Sequence, residues 1–334
     1  MSLYGLARPL LFALDAENAH LVALRTAGIA ALFSPPLIRS PVRAMGIEFP
    51  NPIGAAAGLD KHAEHVDAIA ALGFGFLELG GVTPRPQAGN PRPRLFRLAE
   101  ARAIINRFGL NSAGVEAFTE NLKRARKTVP IGVNVGKNRD TPNERAVDDY
   151  LHCLDVLYPH VDYVAINVSS PNTNGLRDLQ SAVVLGALLQ AIVARRNALR
   201  DRHGRNVALV LKISPDIDDA AITDIADAVR RERVDGLIAT NTTTSRAGVA
   251  GLAHGAEAGG LSGAPLREPA TRVLKAFAAR LKGEICLIGG GGVMSGADAR
   301  EKFDAGASLV QVYSGLVYRG PDLVAECVSA YRAK

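Results

Sequence analysis

Cysteine is scarce: three in 334 residues, Cys153, Cys286 and Cys327, far apart and without C-x-x-C spacing. That leaves no basis for a disulfide framework or a cysteine zinc site, and fits a reducing compartment. Also missing is any uninterrupted apolar run of the ~18 to 20 residues that a spanning helix needs. Asp15, Glu17, His20 and Arg25 break up the most hydrophobic N-terminal region. That region also lacks the signal-peptide order of basic start, apolar run and small-residue cleavage site. Long biased stretches are absent. With 48% hydrophobic and 22% charged residues, the composition is that of a globular protein with a full core.

Acidic residues are fewer than basic ones, giving a formal charge of +6. The excess asks for an anionic partner: nucleic acid, a membrane surface or a small acidic ligand. Its position narrows the choice. Residues 1–45 carry Arg8, Arg25, Arg39 and Arg43 against Asp15 and Glu17, and residues 83–110 carry six arginines against Glu100. The remainder is close to neutral, so the basicity belongs to two segments and gives no general nucleic-acid surface.

Short apolar runs, each followed by helical periodicity, recur at 53–57, 76–80, 131–135, 163–168, 209–213, 237–241, 285–288 and 309–313. Helices are expected over 61–72, 115–127, 143–157, 179–200, 218–231, 267–281, 296–305 and 321–332. The runs show no strict alternation, as parallel strands buried on both faces require. Eight such units predict an α/β fold, a (β/α)8 TIM barrel over residues 41–334. The rival, a doubly wound open sheet, would carry a glycine fingerprint after its first strand. Here that position reads Ala57-Gly58-Leu59-Asp60-Lys61.

Two segments fall outside the repeat. Residues 1–40 read as a small helical extension, two helices at 4–14 and 16–33 with Asp15 as N-cap of the second. Taken by itself, the pair fits the barrel flank or a membrane. The 83–110 excursion, rich in Pro and Arg, stands where a βα loop is ordinarily short, and loops of such length are functional or disordered.

In a (β/α)8 barrel the strand C-termini face the active site. Those positions carry Gly58, Asp60, Lys61, Gly81, Thr83, Asn134, Asn167, Ser169-Ser170-Pro171-Asn172, Lys212 and Thr240-Asn241-Thr242. Buried Asn, Thr and Lys are costly unless they bind something, and a planar ligand rich in hydrogen-bonding groups would satisfy them. Glycines 289–292 after strand seven and Tyr313-Ser314-Gly315 after strand eight stand at the usual barrel phosphate site, and 259–263 can close the same pocket. Ser170 has no neighbouring His or acid to make a hydrolase triad, and its string is also ordinary turn chemistry. His62 and His65 lack a third ligand, so no metal site is expected. A phosphosugar isomerase or lyase on the same barrel, or a non-catalytic membrane-peripheral scaffold, remains an alternative at this point.

A family resemblance narrows these readings. Ala56-Ala57-Gly58-Leu59-Asp60-Lys61, the string Val82-Thr83-Pro84-Arg85-Pro86-Gln87 continuing to Arg94-Leu95-Phe96-Arg97, Ile105-Asn106-Arg107-Phe108-Gly109, Asn167 to Thr173, and Val312-Tyr313-Ser314-Gly315 resemble the class 2, quinone-dependent, membrane-associated dihydroorotate dehydrogenases along almost the whole chain. The resemblance implies FMN as cofactor, oxidation of (S)-dihydroorotate to orotate in UMP synthesis, and a quinone as acceptor. It assigns the base to Ser170, which would take a proton from C5 as hydride leaves C6; class 1 relatives have cysteine there.

By the same resemblance, FMN is held by Ala57, Gly58, Leu59, Asp60, Lys61, Gly81, Asn134, Asn167, Lys212, Thr240, Gly263, Gly292, Tyr313 and Ser314. Dihydroorotate meets Lys61, Asn106, Arg107, Phe108, Gly109, Leu110, Asn167, Asn172, Asn241 and Thr242, while His20 and Arg97 line the quinone channel. Residues 1–40 become the channel entrance at the cytoplasmic face of the cell membrane, on a peripheral monomer. Their deletion is expected to spare flavin reduction and abolish quinone turnover. Gly81 departs from the family, whose members commonly have a threonine bonded to the flavin, and Gly290 replaces a more usual apolar residue.

Overall fold

The computed structural model describes residues 3–33, 37–173 and 175–333. Of the predicted extension, residues 1, 2 and 34–36 lie outside these.

The eight apolar runs become β3 (Ile53–Ala55), β4 (Phe76–Val82), β7 (Ile131–Val135), β8 (Tyr163–Asn167), β9 (Ala208–Ile213), β10 (Gly236–Ala239), β12 (Cys286–Gly290) and β13 (Leu309–Val312). They pair in parallel, in chain order, and β13 closes on β3 through Val310, Gln311 and Val312 against Ile53, Gly54 and Ala55. Nearly every strand residue is buried. Around the barrel lie α3 (Val66–Ala70), α4 (Val115–Arg124), α5 (Ala146–Leu157), α6 (Ala182–His203), α7 (Asp219–Arg231), α8 (Arg267–Leu281), α9 (Gly296–Asp304) and α11 (Asp322–Arg332). By length and hydropathy α6 could cross a membrane. Instead, Leu185, Leu189 and Ile192 are buried in the core and Arg196 pairs with Asp235 at 2.8 Å.

Three departures from the sequence reading have local causes. The first helix begins at residue 66, not 61, because the Asp60 carboxylate accepts the N–H groups of His62, Glu64 and His65 at 3.2, 3.2 and 2.8 Å and winds that stretch around itself. The barrel floor is closed by an unforeseen hairpin, β1 (Val42–Ala44) and β2 (Ile47–Phe49), whose Phe49 packs edge-on against Phe76 at 5.3 Å. The 83–110 excursion is ordered: β5 (Leu95–Leu98) and β6 (Ala103–Asn106) form a hairpin, and β11 (Gly260–Gly263) pairs with β6 to make a three-stranded lid sheet over the barrel mouth. An additional short helix, α10 (Ser314–Arg319), follows β13.

The extension is the expected helix pair, α1 (Leu3–Ala13) and α2 (Ala16–Leu32). Asp15 accepts the N–H groups of Glu17 and Asn18 at 3.0 and 3.1 Å, as an N-cap should. The pair is tied to the barrel by side chains meeting backbone. Arg8 donates to Tyr318 O at 2.9 Å, and Arg97 donates to the carbonyls of Leu11 and Phe12 at 3.0 and 3.2 Å, and to that of Leu14, capping the end of α1.

Candidate active site

The barrel mouth opens into a cleft of about 160 Å³ beneath the lid sheet. Its floor is a buried ion pair that was not foreseen from the sequence. Glu78, in the middle of β4, reaches Lys212 Nζ at 2.9 Å, and both side chains are almost wholly enclosed. Enclosing two charges is unfavourable unless their remaining hydrogen-bonding capacity is met. Here Asn134 Nδ2 donates to Glu78 Oε1 at 3.0 Å, while Gln311 Nε2 and Tyr163 Oη donate to Oε2 at 2.6 and 3.4 Å. Burial, followed by the Glu78 charge, pushes the Tyr163 phenol well above its ordinary value and keeps it a donor.

From this floor an amide ladder climbs the wall. Asn167 Nδ2 donates to Asn134 Oδ1 at 2.9 Å, and Asn167 Oδ1 accepts from Ser169 Oγ at 3.1 Å and Asn241 Nδ2 at 3.3 Å. Asn172 Nδ2 donates to Asn106 Oδ1 at 3.2 Å, joining the loop after β8 to the lid. Ser170 faces the cleft, and its Oγ accepts the Asn172 N–H at 3.3 Å; among the described residues neither His nor carboxylate bonds it. Three residues on, Thr173 Oγ1 is buried without a partner among the described residues.

At the opposite end, Gly291 and Gly292 adopt φ of +94° and +76°, a backbone conformation that favours glycine, and both line the cleft. Neither N–H has an acceptor among the described residues. Ser262 and Ser314 hydroxyls meet at 2.8 Å beside them. Such a corner suits an anionic phosphate, and the polar floor suits the ring edge of a planar heterocycle.

The cleft gathers Ala57, Gly58, Lys61, Gly81, Asn134, Asn167, Lys212, Thr240, Gly263, Gly292, Tyr313 and Ser314, and with them Asn106, Phe108, Gly109, Leu110, Ser170, Asn172, Asn241 and Thr242. Three candidates stand elsewhere. Leu59 lines a second cavity, Asp60 is occupied by the backbone turn described above, and Arg107 is drawn outward to Glu257 at 2.6 Å with its guanidinium over Phe96. At Gly81 a Cβ would come within 2.8 Å of Leu110 Cδ2, so the leucine leans into the space a side chain would use.

Lys61 lies half-buried under the lid, its Nζ 3.0 Å from the Phe108 ring centroid and 2.7 Å from Asn111 Oδ1. Burial, reinforced by the nearby Arg94 charge, holds its amine well below the ordinary lysine value. Sequence reading missed Glu78, Asn111 and Gln311, while Ser262 falls in the 259–263 run expected to close the pocket. The one available signal was a Glu inside an otherwise apolar strand.

The second cavity, about 380 Å³, lies under α1 and α2 and shares Tyr313 with the cleft. Its wall is mostly apolar, built from residues such as Phe12, Ala19, Ala23, Ala27, Leu59, Ile69, Leu95 and Ile104, with His20 and Arg97 among them. Burial, and then the Lys61 charge, lowers the His20 pKa to about 4, so the imidazole is neutral near pH 7. Arg97 keeps part of its guanidinium turned to the end of α1.

Comparison with known families matches the dihydroorotate dehydrogenase family over residues 40–331. A protein of Azoarcus sp. named dihydroorotate dehydrogenase (quinone) is 56% identical over 331 residues, covering 98% of each chain. One of the same name from Thiobacillus denitrificans is 55% identical over 331 residues, again with 98% of each chain covered. The crystal structure of DHODH from Eimeria tenella in complex with ferulenol superposes with a TM-score of 0.88 at 36% identity, covering 94% of this chain and 90% of that one.

Proposed function

We propose, starting from the chain's membership of the dihydroorotate dehydrogenase family in its quinone-dependent class 2 branch, that it oxidises (S)-dihydroorotate to orotate with FMN as resident cofactor and a quinone as acceptor, in UMP synthesis. The observation that carries this reading is the pairing of a polar cleft with an apolar cavity that touches it at Tyr313. One takes a planar, charged substrate; the other takes an apolar oxidant.

The residues fit FMN: the unpartnered N–H groups of Gly291 and Gly292, with Ser262 and Ser314, would hold the phosphate, and Lys212, Asn134, Asn167 and Thr240 would meet the ring edge. When bound, FMN supplies a two-electron acceptor. Lys212 then places a positive charge where negative charge gathers, fixed in position by Glu78. Asn106, Asn172 and Asn241 orient dihydroorotate through amides that are already linked to one another, which lowers the cost of ordering them. Ser170 Oγ takes the C5 proton. A serine hydroxyl is a weak base, so its own proton must pass to water or a neighbouring hydroxyl, and Thr173 on the same loop offers one.

The outer face of α1 and α2 supports attachment at the cytoplasmic face of the cell membrane as a peripheral monomer. Leu10, Leu32 and Phe33 are 76%, 80% and 66% exposed, and Phe33 also lines the apolar cavity, so a lipid surface would cover the cavity's rim.

The purified protein is expected to be yellow, to bleach anaerobically with dihydroorotate, and to recover on adding quinone. Ser170→Ala is expected to slow bleaching by about 10² to 10⁴-fold with the flavin spectrum unchanged. A colourless protein that FMN cannot reconstitute would sink the reading, whereas bleaching at the parent rate would remove only the Ser170 assignment.

A further inference from the structure

Glu17 lies in the first turn of α2, yet Asp15 already caps that helix, and the Glu17 carboxylate is buried away from the helix end. It faces two arginines of the lid segment. Arg92 approaches at 3.0 Å, and Arg94 donates Nε to both carboxylate oxygens at 3.2 Å and Nη2 to Oε1 at 2.9 Å. Arg94 is itself buried. Its third nitrogen, Nη1, points the other way and donates to the carbonyls of Ala88 and Asn90 at 2.8 and 2.9 Å.

Those two carbonyls belong to the loop that holds the substrate side of the lid. Asn90 donates its N–H to Phe108 O at 2.9 Å and its Nδ2 to Arg107 O at 2.8 Å, and the Arg94 carbonyl accepts the Arg107 N–H at 2.9 Å. Phe108 lies between the Arg94 guanidinium, 5.3 Å from its centroid, and the Lys61 amine. A guanidinium is planar, so fixing one edge on a carboxylate fixes the direction of the other. A rigid path thus runs from α2, which walls the apolar cavity, to the segment 106–111, which roofs the polar cleft.

We propose that Glu17 is a positioning residue for the substrate end of the enzyme: it orients Arg94, and through Arg94 it sets the 106–111 segment over the bound pyrimidine. This rests on the function proposed above. It also revises the expectation drawn from sequence that residues 1–40 concern quinone alone, since their removal would strand Arg94 as a buried charge and loosen the lid.

The test uses full-length holoenzyme, with orotate titrated against the flavin absorbance and dihydroorotate kinetics followed anaerobically. Glu17→Gln turns an amide donor toward Arg94; it is expected to weaken orotate binding and raise the dihydroorotate KM about tenfold, with FMN content and quinone KM unchanged. The double variant Glu17→Leu/Arg94→Met replaces the ion pair by apolar side chains and restores thermal stability. It is expected to remain weak for orotate, because the Ala88 and Asn90 carbonyls have lost their donor. Parent-like orotate affinity in Glu17→Gln overturns the proposal, as does recovery of affinity together with Tm in the double variant. Should Glu17→Gln fail to fold, the double variant alone decides. If the parent's flavin spectrum ignores orotate, the functional reading fails, and this inference with it.

Discussion

The cleft at the barrel mouth and the cavity under α1 and α2 share Tyr313 but are built on opposite principles. The cleft is a set of buried polar groups that hold one another: Glu78 with Lys212, Asn134 with Asn167, Asn172 with Asn106. The cavity is a set of alanines, leucines and rings enclosing space, with a few polar side chains such as His20, Thr26 and Arg97 in its wall. Preorganised hydrogen bonds discriminate by orientation, and an apolar chamber discriminates by size and by the exclusion of water. On the function proposed above, two half-reactions with such different partners would meet at one cofactor while each keeps its own recognition surface.

The sharpest way to break this contrast is to remove a charge from the cleft floor. Lys212→Met leaves the Glu78 carboxylate enclosed with only neutral donors, which should cost about 3–5 kcal/mol of stability. Lys212→Met/Glu78→Leu should regain most of that loss in chemical denaturation while still lacking flavin reduction by dihydroorotate. If the single variant lost less than about 1 kcal/mol, the floor would not depend on the pair.

The two regions also differed in how far the sequence revealed them. The barrel was readable because parallel strands buried on both faces leave apolar runs that periodicity detects, and polar residues at their C-terminal ends then stand out. The lid was not, because β5 and β6 are four residues each and the third strand that makes them a sheet, β11, lies about 150 residues further on. Glu78 was passed over because a charge inside a strand has no meaning until Lys212 and Gln311, from strands distant in sequence, are seen to surround it. The same holds for Glu17 and Arg94, 77 residues apart. The roles of Ser170 and of His20 and Arg97 came from family resemblance, since local spacing around them is uninformative.

A smaller effect is expected at the cavity's rim, on the outer face of α1 and α2. Leu10, Leu32 and Phe33 stand in solvent, so replacing all three by serine should leave folding and dihydroorotate-dependent bleaching unchanged. Partition onto anionic phospholipid vesicles should fall roughly 100-fold, because each side chain forfeits about 1 kcal/mol or more of apolar transfer. Co-sedimentation equal to the parent's would show that another face meets the lipid.

The smallest expected effect concerns the polar group inside the apolar chamber. In the unfolded chain His20 takes a proton near its ordinary value of 6.5, whereas burial lowers its pKa in the folded protein to about 4. Between these values the unfolded state binds more protons, so the contribution of His20 to stability is intact above pH 6.5 and is lost as pH falls toward 4. Below about 4 both states are protonated and no further loss follows. The change should be on the order of 1–2 kcal/mol, allowing for water that reaches the ring through the cavity. His20→Asn should therefore flatten the parent's loss of stability between pH 6.5 and 4, as measured by urea unfolding across that range. An unchanged pH slope would mean that the imidazole already finds enough water in the chamber to ionise freely, and the chamber would then be wetter than its wall implies.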